Sequence, residues 1–335
     1  MIVIRIRKSG TKLAASLMMV GAMLLLNAAP SYAGAIITNG TITMGVNDQG
    51  HLNTPYAGDP LGIGYMGLRY IPTGAASTEP GCQCEGWGVS NGAVSGYANV
   101  SVDGIVNLAV MSFTSTASTA TSVVSAAGGI FRVTHDYKPS ASPNLYQVNV
   151  EITNISGSAQ PVLYRRVMDW DIYPTPFDEY VTIINSSPTV YRTDTNGFNS
   201  GDPLSFFSYE VGPSAGNGYA PIIDSGPNDH GALFDFNFGL LGIEESINFI
   251  TFYGAAGTEA DALAALALVG AEAVYSFGQP NVPGGRDLGY PNTFIFGFKG
   301  VGGKPITPVI PEPSTILLLG AGLAGLGLWA RRKVG

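Results

Sequence analysis

Two aspartates that flank a tryptophan form the densest group of chemically capable side chains in this sequence. Asp169 and Asp171 lie in a segment that alternates like a β-strand, so both leave the same face, together with Arg165. Paired carboxylates could hydrolyse a glycosidic bond or bind a cation. The interpretation we favour is an ion-paired strand face, in which Arg165 or Arg166 neutralises the two acids. Trp170 points the other way, and we expect it in the core.

An oxygen-rich loop follows further along the chain. Asp194, Asn196 and Asp202 are spaced like loop ligands of Ca²⁺, although the closing glutamate of an EF-hand is missing. The Asn-Gly and Ser-Gly pairs in the same segment are also ordinary turn formers. We therefore treat the loop as a weak Ca²⁺ candidate and expect no other cofactor.

The chain has two cysteines, Cys82 and Cys84, separated by one residue. Metal sites of the zinc type usually need four ligands, and the sequence has no second cysteine pair. Because the chain ends indicate an exported, oxidising compartment, we predict a local disulfide or a turn clamp.

Two enzyme-like patterns have the wrong surroundings. Residues 62–67 fit the dinucleotide-binding pattern G-x-G-x-x-G, but a strand rather than a helix follows them. Residues 88–92 fit G-x-S-x-G, and Asp229 and His230 follow in the chain order of a hydrolase triad, but we expect residues 88–92 to form a turn between β segments. The three histidines occur singly, which indicates surface or hydrogen-bonded positions: His51, His135 and His230. We therefore expect that the protein is not an enzyme.

The charge of the body excludes one class of partner. Residues 34–310 contain nine basic and 23 acidic side chains, a formal charge of −14. Binding of DNA or RNA depends on lysine and arginine to neutralise phosphates, so we expect no nucleic-acid partner. The chain is 45% hydrophobic and 10% aromatic, which excludes a disordered body.

The first 33 residues have the parts of a secretory signal peptide. A basic region precedes an apolar run at 13–29, and small residues then lead to a cleavage site between Ala33 and Gly34. A retained anchor is the alternative, but the apolar run is short and the cleavage site follows at the right distance. We expect export, with the mature chain beginning at Gly34.

The C-terminal region, 306–335, has three parts in order. Pro311, Glu312 and Pro313 precede an apolar segment at about 315–330, and a basic cluster follows at 331–333. The apolar segment, rich in glycine and alanine, is short for a membrane span, and the basic cluster should stay in the cytoplasm.

This tail resembles the PEP-CTERM sorting signal of Gram-negative bacteria that make exopolysaccharide. The resemblance implies an exosortase that cuts near the Pro-Glu-Pro motif and passes the body to the cell surface. The C-terminal helix would then be a transient membrane anchor. An ordinary permanent anchor is the alternative.

The elements that must position these residues are mostly strands. Residues 145–153 alternate strictly between apolar and polar side chains, as in a half-buried strand. Further candidate strands are 41–46, 64–71, 96–102, 108–114, 130–136, 162–172, 180–184, 232–238 and 247–253. One helix is predicted at 259–270, with Thr258 as its N-cap.

These signals predict an all-β protein: a single large antiparallel β-sandwich of about twelve strands, with one short helix. The sandwich would cover residues 34–305, flanked by the signal peptide at 1–33 and the transmembrane sorting helix within 306–335. Four segments, 45–53, 82–89, 164–172 and 291–298, resemble recurrent blocks of exported bacterial β proteins. That resemblance implies no catalytic residue.

Three functions are compatible with the sequence. The first is a structural or adhesive protein of the cell surface or extracellular matrix, associated with exopolysaccharide. The second is a carbohydrate-binding sandwich, since such folds often bind sugar on aromatic platforms. The third is a glycan-active hydrolase that uses Asp169 and Asp171, which we rank last because no complete catalytic constellation is visible.

Overall fold

A computed structural model describes residues 34–206, 221–282 and 292–307 of the chain. The predicted cleavage and sorting positions other than Gly34 lie outside the described residues: Ala33, Pro311, Glu312, Pro313 and the segment 315–330. Within the described ranges, no helix has both the length and the apolar character that crossing a bilayer requires.

The described ranges contain 21 strands and one α-helix. In chain order the strands are β1 (Ala35–Thr38), β2 (Ile42–Val46), β3 (Thr54–Pro55), β4 (Tyr65–Met66), β5 (Leu68–Tyr70), β6 (Ala75–Ala76), β7 (Glu85–Ser90), β8 (Ser95–Asn99), β9 (Gly104–Val106), β10 (Leu108–Ser115), β11 (Ala120–Ala126), β12 (Phe131–Pro139), β13 (Leu145–Asn154), β14 (Gln160–Asp169), β15 (Glu179–Asn185), β16 (Val190–Asp194), β17 (Ile222–Asn228), β18 (Gly231–Leu241), β19 (Ser246–Ala256), β20 (Val274–Pro280) and β21 (Thr293–Lys299). The helix, α1, covers Glu259–Leu268, and a turn of 3₁₀ helix covers Ala127–Gly129.

Two large antiparallel sheets dominate the architecture. One has nine strands in the order β10-β11-β12-β13-β19-β21-β20-β15-β17, and the other has six in the order β16-β18-β14-β7-β8-β9. A four-stranded sheet, β1-β2-β5-β6, and the pair β3-β4 complete the fold.

The main hydrophobic core joins side chains of both large sheets. Phe234 of the six-stranded sheet meets Phe298 of the nine-stranded sheet edge-on, with ring centroids 5.1 Å apart. Tyr164 and Phe249 make the same kind of contact at 5.1 Å. All four side chains are buried in one continuous cluster. This face-to-face packing of two antiparallel sheets is a β-sandwich, which confirms the predicted fold class.

Alternation along the strands explains how the nine-stranded sheet is covered on both faces. On β13 the even-numbered apolar residues, from Tyr146 to Ile152, enter the main core. Leu145 points to the opposite face, where Phe252 and Ile295 join it in a second core beneath α1. The helix begins as predicted, because the Thr258 hydroxyl accepts a hydrogen bond from the amide of Asp261 at 3.1 Å.

Every segment predicted as a strand contains one, but the prediction of about twelve strands is too low for the described residues. Several of the missed strands are short, such as β3 and β6, and β7 contains two glycines. In β7 a Cβ at Gly86 or Gly88 would collide with a backbone carbonyl of a neighbouring segment, Ala98 or Gly201. Glycine at these positions permits two backbones to approach closely. Strand prediction from local sequence misses such strands, because glycine is otherwise unfavourable within a strand.

Candidate functional site: a buried acidic cluster

An ion pair between Arg166 and Glu85 lies in the interior of the sandwich. Arg166 Nε and Nη2 donate to Glu85 Oε1 at 2.7 and 2.6 Å, and both side chains are fully buried. The Tyr253 hydroxyl donates to the same oxygen at 2.8 Å, and the amide of Leu52 donates to Oε2 at 2.6 Å. Both oxygens of the carboxylate are satisfied, as is usual for a buried polar group with a structural role.

The neighbouring arginine is also committed to a partner. Arg165 Nε and Nη2 donate to the two carboxylate oxygens of Asp235 at 2.7 and 2.8 Å, and both side chains are fully buried. The prediction that Arg165 or Arg166 neutralises Asp169 and Asp171 is therefore wrong. Each arginine instead pairs with an acid on an adjacent strand, which long-range strand pairing brings into place.

The two predicted aspartates belong to a group of four acids that forms no ion pair with an arginine or lysine of the described residues. Asp169 is the last residue of β14, and Asp171 follows two residues later. Asp229 lies between β17 and β18, and Glu179 opens β15 in the nine-stranded sheet. We call these four residues the acidic cluster. Residues of both large sheets therefore contribute to it.

The three aspartates of the acidic cluster converge closely. One carboxylate oxygen from each of Asp169, Asp171 and Asp229 lies within 4.8 Å of the other two. Asp169 is 1% exposed and Asp171 is 0% exposed, whereas Asp229 is half-buried. At normal hydrogen-bond geometry, Oδ1 of Asp169, both oxygens of Asp171 and Oδ1 of Asp229 have no partner among the described residues. Asp169 and the backbone of Cys82 lie close enough to Asp171 to lower its pKa, but less than burial raises it.

Glu179 approaches the aspartates from the other sheet. Its Oε1 accepts a hydrogen bond from the amide of Ile172 at 3.0 Å, which holds the carboxyl group next to Asp171. The side chain is fully buried, and Oε2 has no hydrogen-bond partner among the described residues.

Burial raises the pKa of every acid in the cluster, and repulsion by neighbouring acids adds to it for Asp169, Asp171 and Glu179. Burial, followed by the negative charge of Asp171, raises the pKa of Asp169 well above its usual value. Burial and then Asp229 raise the pKa of Asp171 to about 7. Burial chiefly raises the pKa of Glu179 to about 9, and burial also raises the pKa of Asp229. Shifts of this kind are typical of functional sites.

A disulfide borders the cluster. Cys82 and Cys84 are bonded to each other, and Cys82 Sγ lies 3.4 Å from Asp169 Oδ2. A sulfur in a disulfide carries no proton and no charge, so this contact does not neutralise the carboxylate. On the other side, a Cβ at Gly197 would lie 2.5 Å from Asp169 Oδ1, so that loop packs tightly against the acid.

The predicted Ca²⁺ loop uses its side-chain oxygens as turn acceptors. Oδ1 of Asp194 accepts from the amide of Asn196 at 2.8 Å, and the side chain of Asn196 accepts from the amide of Phe198 at 2.8 Å. Asp202 accepts from the amide of Leu204 at 2.9 Å. These are Asx turns, the alternative that the sequence left open. Ca²⁺ binding by this loop stays a prediction.

The other residues that the sequence singled out lie in surroundings that indicate a structural role. All three histidines are fully buried, so the surface positions considered for them are wrong. His51 and His135 contact Asn47 and the Tyr164 hydroxyl at 3.1 and 3.3 Å. Residues 88–90 of the G-x-S-x-G pattern belong to β7, so the expected turn begins only after Ser90, whose hydroxyl donates to the carbonyl of Val94 at 2.9 Å. The G-x-G-x-x-G pattern contains β4 and is followed by β5, not by a helix.

Sequence reasoning found half of the acidic cluster. Asp169 and Asp171 were visible because they are two residues apart in a strand-like segment. Asp229 and Glu179 were not visible as members of this cluster. They lie 58 and eight residues beyond Asp171 in the sequence. The pairing of β14 with β18 and of β15 with β17 brings them to the site. Their local sequences contain no motif that indicates a site.

Comparisons with known proteins bear on the tail more than on the body. No curated protein matches the chain. Among solved structures, a galactose mutarotase related enzyme from Lactobacillus acidophilus is similar over 82% of this chain and 93% of its own, at 11% identity and a TM-score of 0.26. This similarity is too weak to bear on the function.

Residues 309–333 match the family model described as the PEP-CTERM protein-sorting motif. The chain carries a PEP-CTERM sorting signal. The resemblance inferred from the tail is therefore confirmed, and it makes this an exported protein. A PEP-CTERM signal also implies processing by an exosortase, a membrane-associated protease.

Proposed function

We propose that this PEP-CTERM protein is a structural or adhesive component of the cell surface or extracellular matrix, associated there with exopolysaccharide. The observation that carries the proposal is the sorting motif at residues 309–333, which assigns the chain to an export route. The large sandwich and the formal charge of −14 over residues 34–310 support a soluble, hydrated body outside the cell.

The burial of the acidic cluster supports a non-enzymatic role. A glycoside hydrolase needs two carboxyl groups on either side of a bound sugar. Asp169 and Asp171 are 1% and 0% exposed, so a polysaccharide would have to displace packed protein to reach them. We therefore favour a structural or adhesive function over hydrolysis.

Cells that lack the gene test this proposal. We expect such cells to lose surface adhesion or matrix cohesion, and the intact gene to restore it. A chain in which Pro311, Glu312 and Pro313 are replaced by alanine should fail to restore it, because the sorting motif is damaged. The matched control is Pro308→Ala, a proline just outside the matched segment, which should restore adhesion fully.

Unchanged adhesion and matrix cohesion in the deletion strain would contradict the proposal. Hydrolysis of a cell-surface polysaccharide by the purified protein, abolished by Asp169→Asn, would replace it with the hydrolase function.

A groove at one side of the body favours carbohydrate binding as a second candidate. It has a volume of about 420 Å³, and its lining includes Tyr70, Ser142, Asn144 and Asp261. One aromatic ring beside several polar groups is a composition that suits a sugar. If the groove binds glycan, Leu268→Glu at its rim should weaken binding on a glycan array. Leu240→Glu, at a similarly exposed leucine elsewhere, should not.

A further inference from the structure

We infer that the acidic cluster is a binding site for a divalent cation, and that its donor chemistry selects Ca²⁺. The inference goes beyond the proposed function, since a Ca²⁺ site in the body would be present whatever the protein does at the cell surface. It rests on three features: the convergence of the aspartates, an independent fourth carboxyl group, and the lack of a balancing positive charge among the described residues.

Convergence is the first feature. The oxygens of Asp169, Asp171 and Asp229 that lie within 4.8 Å of one another come from the end of β14, the residues just after it, and the turn between β17 and β18. Ca²⁺ binds oxygen at about 2.3–2.6 Å, so two ligands on opposite sides of the ion are about 4.6–5.2 Å apart. One oxygen from each of the three aspartates can therefore contact the same Ca²⁺. Mg²⁺ demands near-ideal octahedral geometry and usually keeps several waters, which a site with two fully buried carboxylates does not favour.

The fourth carboxyl group is an independent observation. Glu179 belongs to the other sheet, is fully buried, and is held beside Asp171 by the amide of Ile172. Its second oxygen has no partner among the described residues. A buried oxygen without a partner is costly. Glu179 is not among the residues whose oxygens converge within 4.8 Å, so a cation held by the three aspartates would stabilise it through its charge and not as a direct ligand.

Charge balance is the third feature. Among the described residues no salt bridge reaches any of the four acids, and Arg165 and Arg166 are both paired elsewhere. Three buried carboxylates and a half-buried one cannot all remain ionised without compensation. A divalent cation supplies two positive charges and accepts several oxygen ligands at once, which no single side chain does.

The surroundings favour Ca²⁺ over a softer metal. The nearest sulfur, that of Cys82, is in a disulfide and cannot act as a thiolate ligand, so the donors are all oxygens. Asp229 is half-buried, which leaves a route from solvent to the site. Extracellular Ca²⁺ sites commonly have dissociation constants of about 10⁻⁴–10⁻³ M, and an exported protein meets Ca²⁺ in that range.

Titration of the full chain with Ca²⁺ tests the inference. The protein, purified in mild detergent and stripped with EDTA, should bind one Ca²⁺ per chain, measured by calorimetry or equilibrium dialysis with CaCl₂ alone. Its Tm should rise with Ca²⁺ concentration, because the ion binds the folded state and connects the two sheets. MgCl₂ at the same concentration should raise Tm much less.

Charge-neutral variants separate binding from folding. Asp171→Asn and Asp229→Asn should each weaken Ca²⁺ binding at least about tenfold, as expected for loss of a ligand. In EDTA both variants should be at least as stable as the unaltered protein, because each removes a repelling charge. The matched control, Asp103→Asn at an exposed position outside the cluster, should bind Ca²⁺ unchanged.

Three results would overturn the inference. The first is no saturable Ca²⁺ binding by the unaltered chain. The second is equal binding by Asp171→Asn and Asp103→Asn. The third is a preference for Zn²⁺ over Ca²⁺. None of these results affects the adhesion experiments, so the site and the proposed function can fail separately.

Discussion

At the scale of residues, the interior ion pair of Glu85 with Arg166 and the acidic cluster have different requirements. Glu85 and Arg166 satisfy each other inside the sandwich, whereas the acidic cluster has only negative charge. Removing one partner of a buried pair leaves the other charge without compensation, and removing one member of a cluster of like charges relieves repulsion. The sign of a stability change should therefore distinguish the two.

Glu85→Gln should destabilise the fold by about 3–5 kcal/mol, because it leaves Arg166 buried and charged without its counter-ion. The measurement is the free energy of unfolding from denaturant titration. Asp136→Asn, which breaks the partly exposed pair with Lys138, is the control and should cost about 0–1 kcal/mol. Similar costs for the two variants would contradict the structural role of the interior pair.

Trp170→Ala should cost about 3–5 kcal/mol as a large-to-small change in the core. Trp170 is fully buried, its Nε1 donates to Ser276 Oγ at 3.0 Å, and Gly278 packs closely on the ring. The denaturant midpoint measures the change. Tyr173→Ala, which removes a ring that is 48% exposed, is the control and should cost far less. A midpoint that barely moves for Trp170→Ala would contradict the core position of Trp170.

The buried histidines make the free energy of unfolding depend on pH. Burial, followed by the charge of Arg166, lowers the pKa of His51 to about 3, and burial lowers the pKa of His135 as well. Below the unfolded value near 6.5 the unfolded chain takes up protons that the folded chain does not, so stability falls as pH falls. From pH 6.5 to 4.5 His51 alone should cost about 2 kcal/mol.

His51→Gln is the variant that measures this contribution. Between pH 6.5 and 4.5 its free energy of unfolding should fall less than that of the unaltered protein by about 2 kcal/mol. Arg166, whose charge lowers the pKa of both histidines, is the same in both proteins, whereas the interaction of His51 with His135 is removed together with His51. Parallel pH profiles would show that His51 is protonated in the folded state.

At the scale of elements, α1 is the one α-helix in the described ranges, and its N-terminal cap can be tested by substitution. Thr258 accepts from the amide of Asp261, and Leu266 anchors the helix to the second core. Thr258→Ala should reduce the free energy of unfolding by about 1 kcal/mol, because one amide of the first turn loses its acceptor. Thr258→Ser keeps the hydroxyl and should have little effect. Equal losses for both variants would point to the methyl group and not the cap.

At the scale of the whole molecule, the PEP-CTERM signal predicts the covalent form of the mature protein. The apolar segment at 315–330 is short and contains four glycines, and the prolines at 311 and 313 predict an extended segment ahead of it. We expect the surface form to end near the Pro-Glu-Pro motif. Intact-mass measurement on protein from native cells decides this, and a mass that retains residues 315–335 would indicate a permanent anchor.

Local patterns were sufficient for many of the strands, for the helix and for the sorting signal. Alternation predicted the strands, the Thr258 cap predicted the helix, and three short motifs in order predicted the sorting signal. Each of these depends on residues that are neighbours in the chain. Glycine-rich strands such as β7 were missed. Glycine in them permits close contact with backbone that is distant in the sequence, and a local pattern does not show this contact.

Charge partners, by contrast, were decided by tertiary structure. Arg165 and Arg166 lie closest in sequence to Asp169 and Asp171, yet strand pairing supplies them with Asp235 and Glu85. The same pairing adds Asp229 and Glu179 to the two aspartates that the sequence had singled out. Electrostatic energy depends on distance in space and on burial, and a sequence records neither until the sheets are assembled.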